Sequence, residues 1–219
     1  MHQAAWLAPY QRLLAHYGPQ HWWPGETPFE VMVGAVLTQN TAWTNVEKAI
    51  ANLKAAQALD CRAMLALPDG DLAALIRPAG YFNVKAVRLK ALCRFLDRRG
   101  VADVPERLAG QADLAALRHD LLAVHGIGEE TADSILLYAL GLPSFVVDAY
   151  TRRAFGRLGL LAGNERHDEI RQRFETGLPR DVGLYNEYHA LIVQLGKQHC
   201  RPRPRCAGCP LTPICPHAT

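Results

Sequence analysis

The sequence predicts an all-α protein. Apolar residues recur at helical spacing along almost the whole chain, and no segment shows the sustained alternation of a strand. Glycine and proline mark the breaks between the periodic segments, where helices are expected to begin and end. The predicted helices span, in order, about 4–16, 28–40, 44–58, 70–77, 84–99, 113–123, 129–140, 149–158, 166–176 and 184–198.

The composition is that of a globular protein. Of the 219 residues, 49% are hydrophobic and 8% are aromatic, which is enough for one domain or two small ones. No apolar run approaches the roughly 20 residues of a membrane span, so we expect no membrane contact. The start of the chain lacks the features of a secretory signal. We therefore expect a cytoplasmic protein with reduced thiols, in which Cys61 and Cys93 are small buried side chains.

Four cysteines close the chain in the pattern C-x5-C-x2-C-x5-C. They are Cys200, Cys206, Cys209 and Cys215. Four thiolates suit either a [4Fe-4S] cluster or tetrahedral zinc, and the single C-x2-C favours iron over a zinc ribbon with two such pairs.

The net charge is only +3, so nucleic-acid binding must be argued from where the charge lies. Arg201, Arg203 and Arg205 lie between the first two of these cysteines, and no acidic residue follows Glu187. They indicate a surface for phosphates, or a solvated tail.

A tight glycine turn lies between two predicted helices at residues 121–133. Gly126, Ile127 and Gly128 form the turn, and a helix starts directly after it. Two glycines let the backbone approach another surface closely, and the amides of the helix start can bind a phosphate. Such a turn can hold a DNA backbone without reading its sequence, although a GxG turn alone is also an ordinary connection.

Asp148 follows an apolar run and precedes a helix that carries Arg152, Arg153 and Arg157. An aspartate at this position can be a helix N-cap. Its carboxylate can also activate a nucleophile, or stabilise positive charge on a sugar as a base leaves. The two roles are compatible.

The turn at 125–133, the segment VVDAYTRR at 146–153 and the terminal cysteines together resemble the helix-hairpin-helix (HhH-GPD) DNA glycosylases, which include endonuclease III and the adenine-mismatch glycosylase. The resemblance extends from about Phe29 to Cys215. It implies a six-helix domain at 24–142 with the hairpin at about 115–138. A second domain would combine 1–23 with 143–219 and hold a [4Fe-4S] cluster at 200–215. DNA would bind in a groove between the two domains, and Asp148 would be the essential aspartate.

The sequence departs from the endonuclease III pattern at two places. Glu130 occupies the position of the lysine in that branch, and a carboxylate cannot form the Schiff base of strand cleavage. The first cysteine gap is five residues rather than six. The first departure predicts a monofunctional glycosylase, in which Asp148 activates water.

Further site residues follow from the same resemblance. Gln39 matches the residue that fills the space left by a flipped base, and Tyr81 matches the wedge in the opposite strand; either can be an ordinary surface residue. The remaining expected DNA contacts are Asn83, His125, Gly126, Ile127, Gly128 and Thr131, together with the three arginines of the cysteine segment.

The aromatic residues indicate the substrate. Trp22, Trp23 and Pro24, with Trp43, resemble the base pocket of the 3-methyladenine glycosylase branch, although tryptophans are often core residues. A methylated purine is cationic and stacks well on indole faces, and its glycosidic bond is already weakened.

We therefore expect a monomeric glycosylase that flips an alkylated purine out of double-stranded DNA and hands its product to enzymes that process abasic sites. The alternatives are an endonuclease III-like enzyme for oxidised pyrimidines, with weak or no lyase activity, and a non-catalytic module that binds damaged DNA.

Overall fold

A computed structural model describes residues 3–22 and 25–218 of the chain. No strand occurs in these ranges, which confirms the predicted all-α class. The α-helices are α1 (Gln3–Tyr17), α2 (Pro28–Leu37), α3 (Trp43–Ala55), α4 (Cys61–Ala66), α5 (Asp69–Leu75), α6 (Phe82–Arg98), α7 (Leu114–Leu122), α8 (Glu129–Ser134), α9 (Ala149–Arg157), α10 (His167–Gly177) and α11 (Val182–Gln198). Short 3₁₀ turns cover Arg77–Ala79, Pro105–Gly110 and Thr212–Ile214, and a π-helical turn covers Ile135–Ala139.

The chain divides into two compact units. The central unit is Pro24–Leu142, and the terminal unit combines Met1–Trp23 with Pro143–Thr219.

The central unit is built around α2. Thr27 caps this helix by accepting a hydrogen bond from the amide of Glu30, and Pro28 occupies the first turn, where its missing N–H costs nothing. Every residue from Phe29 to Leu37 is buried, so α2 runs through the core rather than over it. Helices α3 and α6 pack against it, and α4 and α5 pack against α6.

The terminal unit has an aromatic core. The Trp6 ring of α1 stacks on Phe155 of α9 at 5.8 Å between ring centroids, and it meets Phe174 of α10 edge-on at 4.8 Å. Gly177 makes this packing possible, because a Cβ there would lie 2.4 Å from the Trp6 ring. The Tyr188 hydroxyl of α11 donates to the Trp6 carbonyl at 2.8 Å, which ties α11 to α1.

Two details differ from the helices expected from sequence. Helix α4 was not predicted, because it is only six residues long; Asp60 caps it by accepting from the amide of Ala63. The helix predicted at 129–140 is α-helical only to Ser134 and then widens into the π-helical turn Ile135–Ala139. Within the described ranges, no helix has the length and apolarity to cross a lipid bilayer.

Candidate functional site

Asp148 is fixed at the start of α9 in the terminal unit. The preceding extended segment is anchored by Phe145, whose ring stacks on Phe174 at 4.0 Å between centroids. The Asp148 Oδ1 accepts hydrogen bonds from the amide and the hydroxyl of Thr151, at 2.7 and 2.9 Å. Asp148 is therefore the N-cap that the sequence allowed, with 10% of its side chain exposed.

The second carboxylate oxygen of Asp148 faces a histidine. His189 of α11 places Nε2 at 3.5 Å from Asp148 Oδ2, and the histidine is itself buried. Burial alone would raise the pKa of Asp148, but the contacts with His189 and Thr151 outweigh burial and hold that pKa below its usual value. The group is therefore a carboxylate at neutral pH, although it is almost enclosed.

The far end of α9 holds the cysteine segment. Arg153 Nε donates to the Cys200 carbonyl at 2.6 Å. Arg157 Nη1 lies 3.3 Å from Cys200 Sγ and also donates to the Arg201 carbonyl at 2.7 Å. One short helix thus carries Asp148 at its start and the contacts to the first cysteine at its end.

The four terminal cysteines line one cavity, together with Arg157 and His199. None of the four forms a disulfide, and all are of intermediate exposure. Burial, and the nearby sulfur atoms of the other three, raise the pKa of Cys209. In residues 3–22 and 25–218, no three His, Cys, Asp or Glu side chains converge tightly enough to hold a single metal ion. Four cysteine side chains around one cavity are the donor type that a [4Fe-4S] cluster uses.

The glycine turn lies in the central unit, between α7 and α8. Gly126 has φ +84° and a Cβ there would lie 2.2 Å from Arg88 Cγ, so its backbone conformation and the available space both require glycine. Gly128 has φ −91°, and a Cβ on it would meet no atom within 4 Å. The protein's own packing therefore explains Gly126 and leaves Gly128 unexplained.

A buried ion pair locks the two helices of this hairpin together. Arg118 of α7 forms two hydrogen bonds to the Asp133 carboxylate of α8, at 2.7 and 3.2 Å, and both side chains are buried. Ile127 is also buried, and its amide donates to the Val124 carbonyl. The predicted DNA contact at Ile127 is therefore not available to its side chain.

Gln39 is bound to the hairpin. Its Nε2 donates to the Gly126 carbonyl at 3.1 Å and to the Thr131 hydroxyl at 2.9 Å, and its Oε1 accepts from Arg88 Nη1. Thr131 is itself buried, so its hydroxyl serves this internal network rather than an outer surface. The sequence suggested DNA contacts for Gln39 and Thr131, and the structure brings the two side chains together.

Lys85 connects two loops from inside the central unit. Its Nζ donates to the carbonyls of Leu37 and Ala79, each at 2.8 Å, and the residue is buried. Burial and the nearby Arg88 charge lower the pKa of Lys85 to about 8. The two carbonyls lie just before Gln39 and just before Tyr81, so one side chain fixes both loops.

The other expected DNA contacts lie on the surface of their units. Tyr81 is 71% exposed at a left-handed φ of +46°. The other exposed members of this set are Asn83, His125, Arg201, Arg203 and Arg205. Glu130, at the position of the endonuclease III lysine, is exposed as well.

Two of the four expected pocket residues lie within the described ranges. Trp22 is half-buried, and the Lys197 Nζ lies 5.5 Å from its ring centroid. Trp43 begins α3 and is also half-buried. Trp23 and Pro24 lie outside the described residues.

Four residues of the site were not found from sequence. These are Lys85, Arg88, Arg118 and His189. Each contacts a partner in another element of the fold. A lysine or arginine inside a helical pattern normally indicates an exposed face. A histidine on α11 carried no motif that would relate it to Asp148.

Residues 33–180 match the family described as HhH-GPD superfamily base excision DNA repair protein. A protein of Methanocaldococcus jannaschii named "Putative DNA repair glycosylase MJ1434" is 49% identical over 206 residues, which are 94% of this chain and 93% of that protein. The chain therefore belongs to the HhH-GPD superfamily of base excision DNA repair proteins, and as such it is a DNA glycosylase.

Two solved structures are similar to this one. An endonuclease III–DNA complex superposes with a TM-score of 0.84 over 100% of this chain and 97% of that one; its 23% identity supports the fold alone. The 3-methyladenine DNA glycosylase MagIII of H. pylori, bound to 1,N6-ethenoadenine, has a TM-score of 0.74 and 29% identity. That alignment covers 90% of this chain and 98% of that chain.

Proposed function

We propose that the protein hydrolyses the N-glycosidic bond of an alkylated purine in double-stranded DNA and leaves the strand intact. The observation that carries this proposal is the Asp148 carboxylate, which is ionised, rigidly held and still one-tenth exposed. A fixed anion of this kind stabilises the positive charge that develops on a deoxyribose as the base leaves.

The two oxygens of Asp148 have different tasks in this mechanism. Oδ1 is held by Thr151, and this restraint fixes the direction of the carboxyl group. Oδ2 faces His189 and is the oxygen that accepts a proton from water as that water bonds to the sugar carbon. The bond from the sugar to the base breaks, and the base leaves with the bonding electrons.

Glu130 supports hydrolysis without strand cleavage. It is exposed on the first turn of α8, at the position of the lysine in the endonuclease III branch, and it has no amine to form a Schiff base. Lys85 does not replace that amine, because it is buried and donates to two backbone carbonyls. We expect no covalent adduct when abasic DNA and borohydride are added.

The choice of alkylated purines rests on Trp22 and Trp43 and on the similarity to MagIII. An indole face attracts the positive charge of a methylated purine. Lys197 already lies over the Trp22 ring, so a purine must use the opposite face or displace the ammonium group.

We further propose that Cys200, Cys206, Cys209 and Cys215 hold a [4Fe-4S] cluster. When bound, it supplies a rigid centre around which the loop folds and presents Arg201, Arg203 and Arg205 to phosphates. Iron and acid-labile sulfide should be present in equal amounts in the purified protein. Zinc without sulfide would contradict the cluster.

The experiment that tests the proposed function is a panel of duplexes. It contains 3-methyladenine, 7-methylguanine, ethenoadenine, thymine glycol, uracil or adenine in a mismatch, with free base and strand cleavage measured separately. We expect release of alkylated purines and no cleavage before alkali is added. Preference for thymine glycol would favour the endonuclease III-like alternative. Binding without release from any duplex would favour the non-catalytic module.

A further inference from the structure

The three arginines that follow Asp148 on α9 bind backbone oxygens rather than its carboxylate. Arg152 donates to the carbonyl of Glu165 at 2.9 Å. Arg153 and Arg157 donate to backbone carbonyls of the cysteine segment, at 2.6 and 2.7 Å. The partner of the Asp148 carboxylate must therefore come from another helix.

His189 of α11 faces the second oxygen of this carboxylate. Its Nε2 lies 3.5 Å from Asp148 Oδ2, which is slightly longer than a hydrogen bond. Hydrogen bonds of a catalytic group are often long in the free enzyme and shorten when the substrate binds. In the described part of the chain, the hydrogen bonds that Asp148 accepts come from Thr151 and reach Oδ1. His189 is therefore placed to restrain Oδ2, as Thr151 restrains Oδ1.

The position of His189 is fixed by the packing of α11. Residues 188–193 of this helix are all buried, and His189 itself is 5% exposed. Helix α11 also approaches α9 closely, because a Cβ on Gly196 would lie 2.1 Å from the Tyr150 ring. Burying the polar ring of a histidine costs free energy unless a polar group compensates, and Asp148 is such a group.

We propose that His189 is a positioning residue for base excision, whose Nε2–H donates to Asp148 Oδ2 in the substrate complex and fixes the direction in which that oxygen meets water. This proposal rests on the proposed function, because it concerns how the same carboxylate acts. His189 acts through Asp148 rather than on the sugar. When both oxygens are restrained, the carboxyl group cannot rotate, and a lone pair of Oδ2 remains for the proton of water.

Removing this donor should raise the pKa of Asp148. Burial is the largest influence and raises that pKa, whereas the contacts with His189 of α11 and Thr151 of α9 lower it. Without His189, more of the carboxyl group is protonated at a given pH, and the acid limb of the rate profile moves to higher pH. A histidine that only filled the core would leave that limb unchanged.

The test compares two variants that differ in reach. His189→Gln places an amide nitrogen as many bonds from the backbone as Nε2, and His189→Asn places it one bond closer. Tyr188→Phe is the control for stability, because it removes the 2.8 Å hydrogen bond to the Trp6 carbonyl from the same helix. Two quantities are measured against pH: single-turnover base release, and the NMR signal of the labelled Asp148 carboxyl, assigned with Asp148→Asn.

We expect His189→Asn to release base about tenfold to a hundredfold more slowly at neutral pH, at unchanged affinity for abasic duplex. Its acid limb and its carboxyl titration should both lie at higher pH than those of wild type. His189→Gln should recover most of the loss. Tyr188→Phe should unfold at a lower temperature and keep the acid limb of wild type.

Equal rates of base release for His189→Asn and wild type would overturn the proposal, as would equal losses in the two His189 variants. An Asp148 carboxyl that titrates in wild type above the ordinary value of an aspartate would also overturn it, whether or not the variants fold. If wild type releases no base from any duplex, the proposed function fails, and the carboxyl titration still decides whether His189 holds Asp148.

Discussion

The Asp148 site and the glycine hairpin both lie at the start of a helix, but they use hydrogen bonds in opposite ways. At Asp148, the contacts from Thr151 orient a carboxylate that stays ionised and partly exposed. At the hairpin, the internal contacts engage the side chains of Gln39 and Thr131, and what they leave outside is the backbone at Gly128.

This difference suits the Asp148 site to chemistry and the hairpin to binding. A side chain that is oriented but accessible can act on a reacting atom. A hairpin whose polar side chains are bonded internally presents mainly backbone amides, which suit phosphates and carry no sequence information. We therefore expect changes at Asp148 to alter rate, and changes at the hairpin to alter stability or affinity.

The largest effect on stability is expected at the ion pair inside the hairpin. Arg118→Met removes the guanidinium that neutralises the buried Asp133, and we expect a loss of about 3–5 kcal/mol in the free energy of unfolding by urea. The double variant Arg118→Met with Asp133→Leu should recover most of this loss, because no buried charge remains. If Arg118→Met alone had the same free energy of unfolding as wild type, the ion pair would not stabilise the hairpin.

A smaller loss of stability is expected at the glycine turn, and it should differ between Gly126 and Gly128. Gly126→Ala places a methyl group 2.2 Å from Arg88 Cγ at φ +84°, and we expect a loss of about 1–3 kcal/mol in unfolding free energy. Gly128→Ala should leave stability nearly unchanged and weaken affinity for abasic duplex, since the added methyl keeps the backbone from the phosphate. Equal effects of the two variants on stability would remove the distinction between them.

A third effect concerns Lys85 and changes stability only with pH. Its pKa is lowered from 10.5 to about 8, so between these values the folded protein releases a proton that the unfolded chain keeps. The contribution of Lys85 to the free energy of unfolding therefore rises with pH between about 8 and 10.5, by at most about 1.4 kcal/mol per pH unit. Lys85→Met should remove that component of the slope of unfolding free energy between pH 8 and 10. An identical slope in the variant would show that Lys85 has an ordinary pKa.

The sequence was sufficient for the helical class, because periodicity and glycine–proline breaks are local signals. The superfamily was also predicted correctly, since the motifs around Gly126 and Asp148 lie in short segments within the matched residues. The N-cap at Asp148 followed from its place before a helix.

The remaining features depend on contacts between distant segments. Gln39 and Thr131 are 92 residues apart, and Lys85 binds the carbonyl of a residue 48 positions away. The buried ion pair of Arg118 and Asp133 also cannot be predicted from helical periodicity, because charged residues in a helical pattern are normally expected on the exposed face.

The most direct test compares Asp148→Asn with wild type in two measurements, single-turnover base release from the best substrate of the panel and affinity for abasic duplex. Asparagine keeps the N-cap oxygen but cannot accept a proton or stabilise positive charge as a carboxylate does. We predict that release falls by about 10²–10⁴-fold while affinity hardly changes. Base release at the wild-type rate would contradict the central role of Asp148.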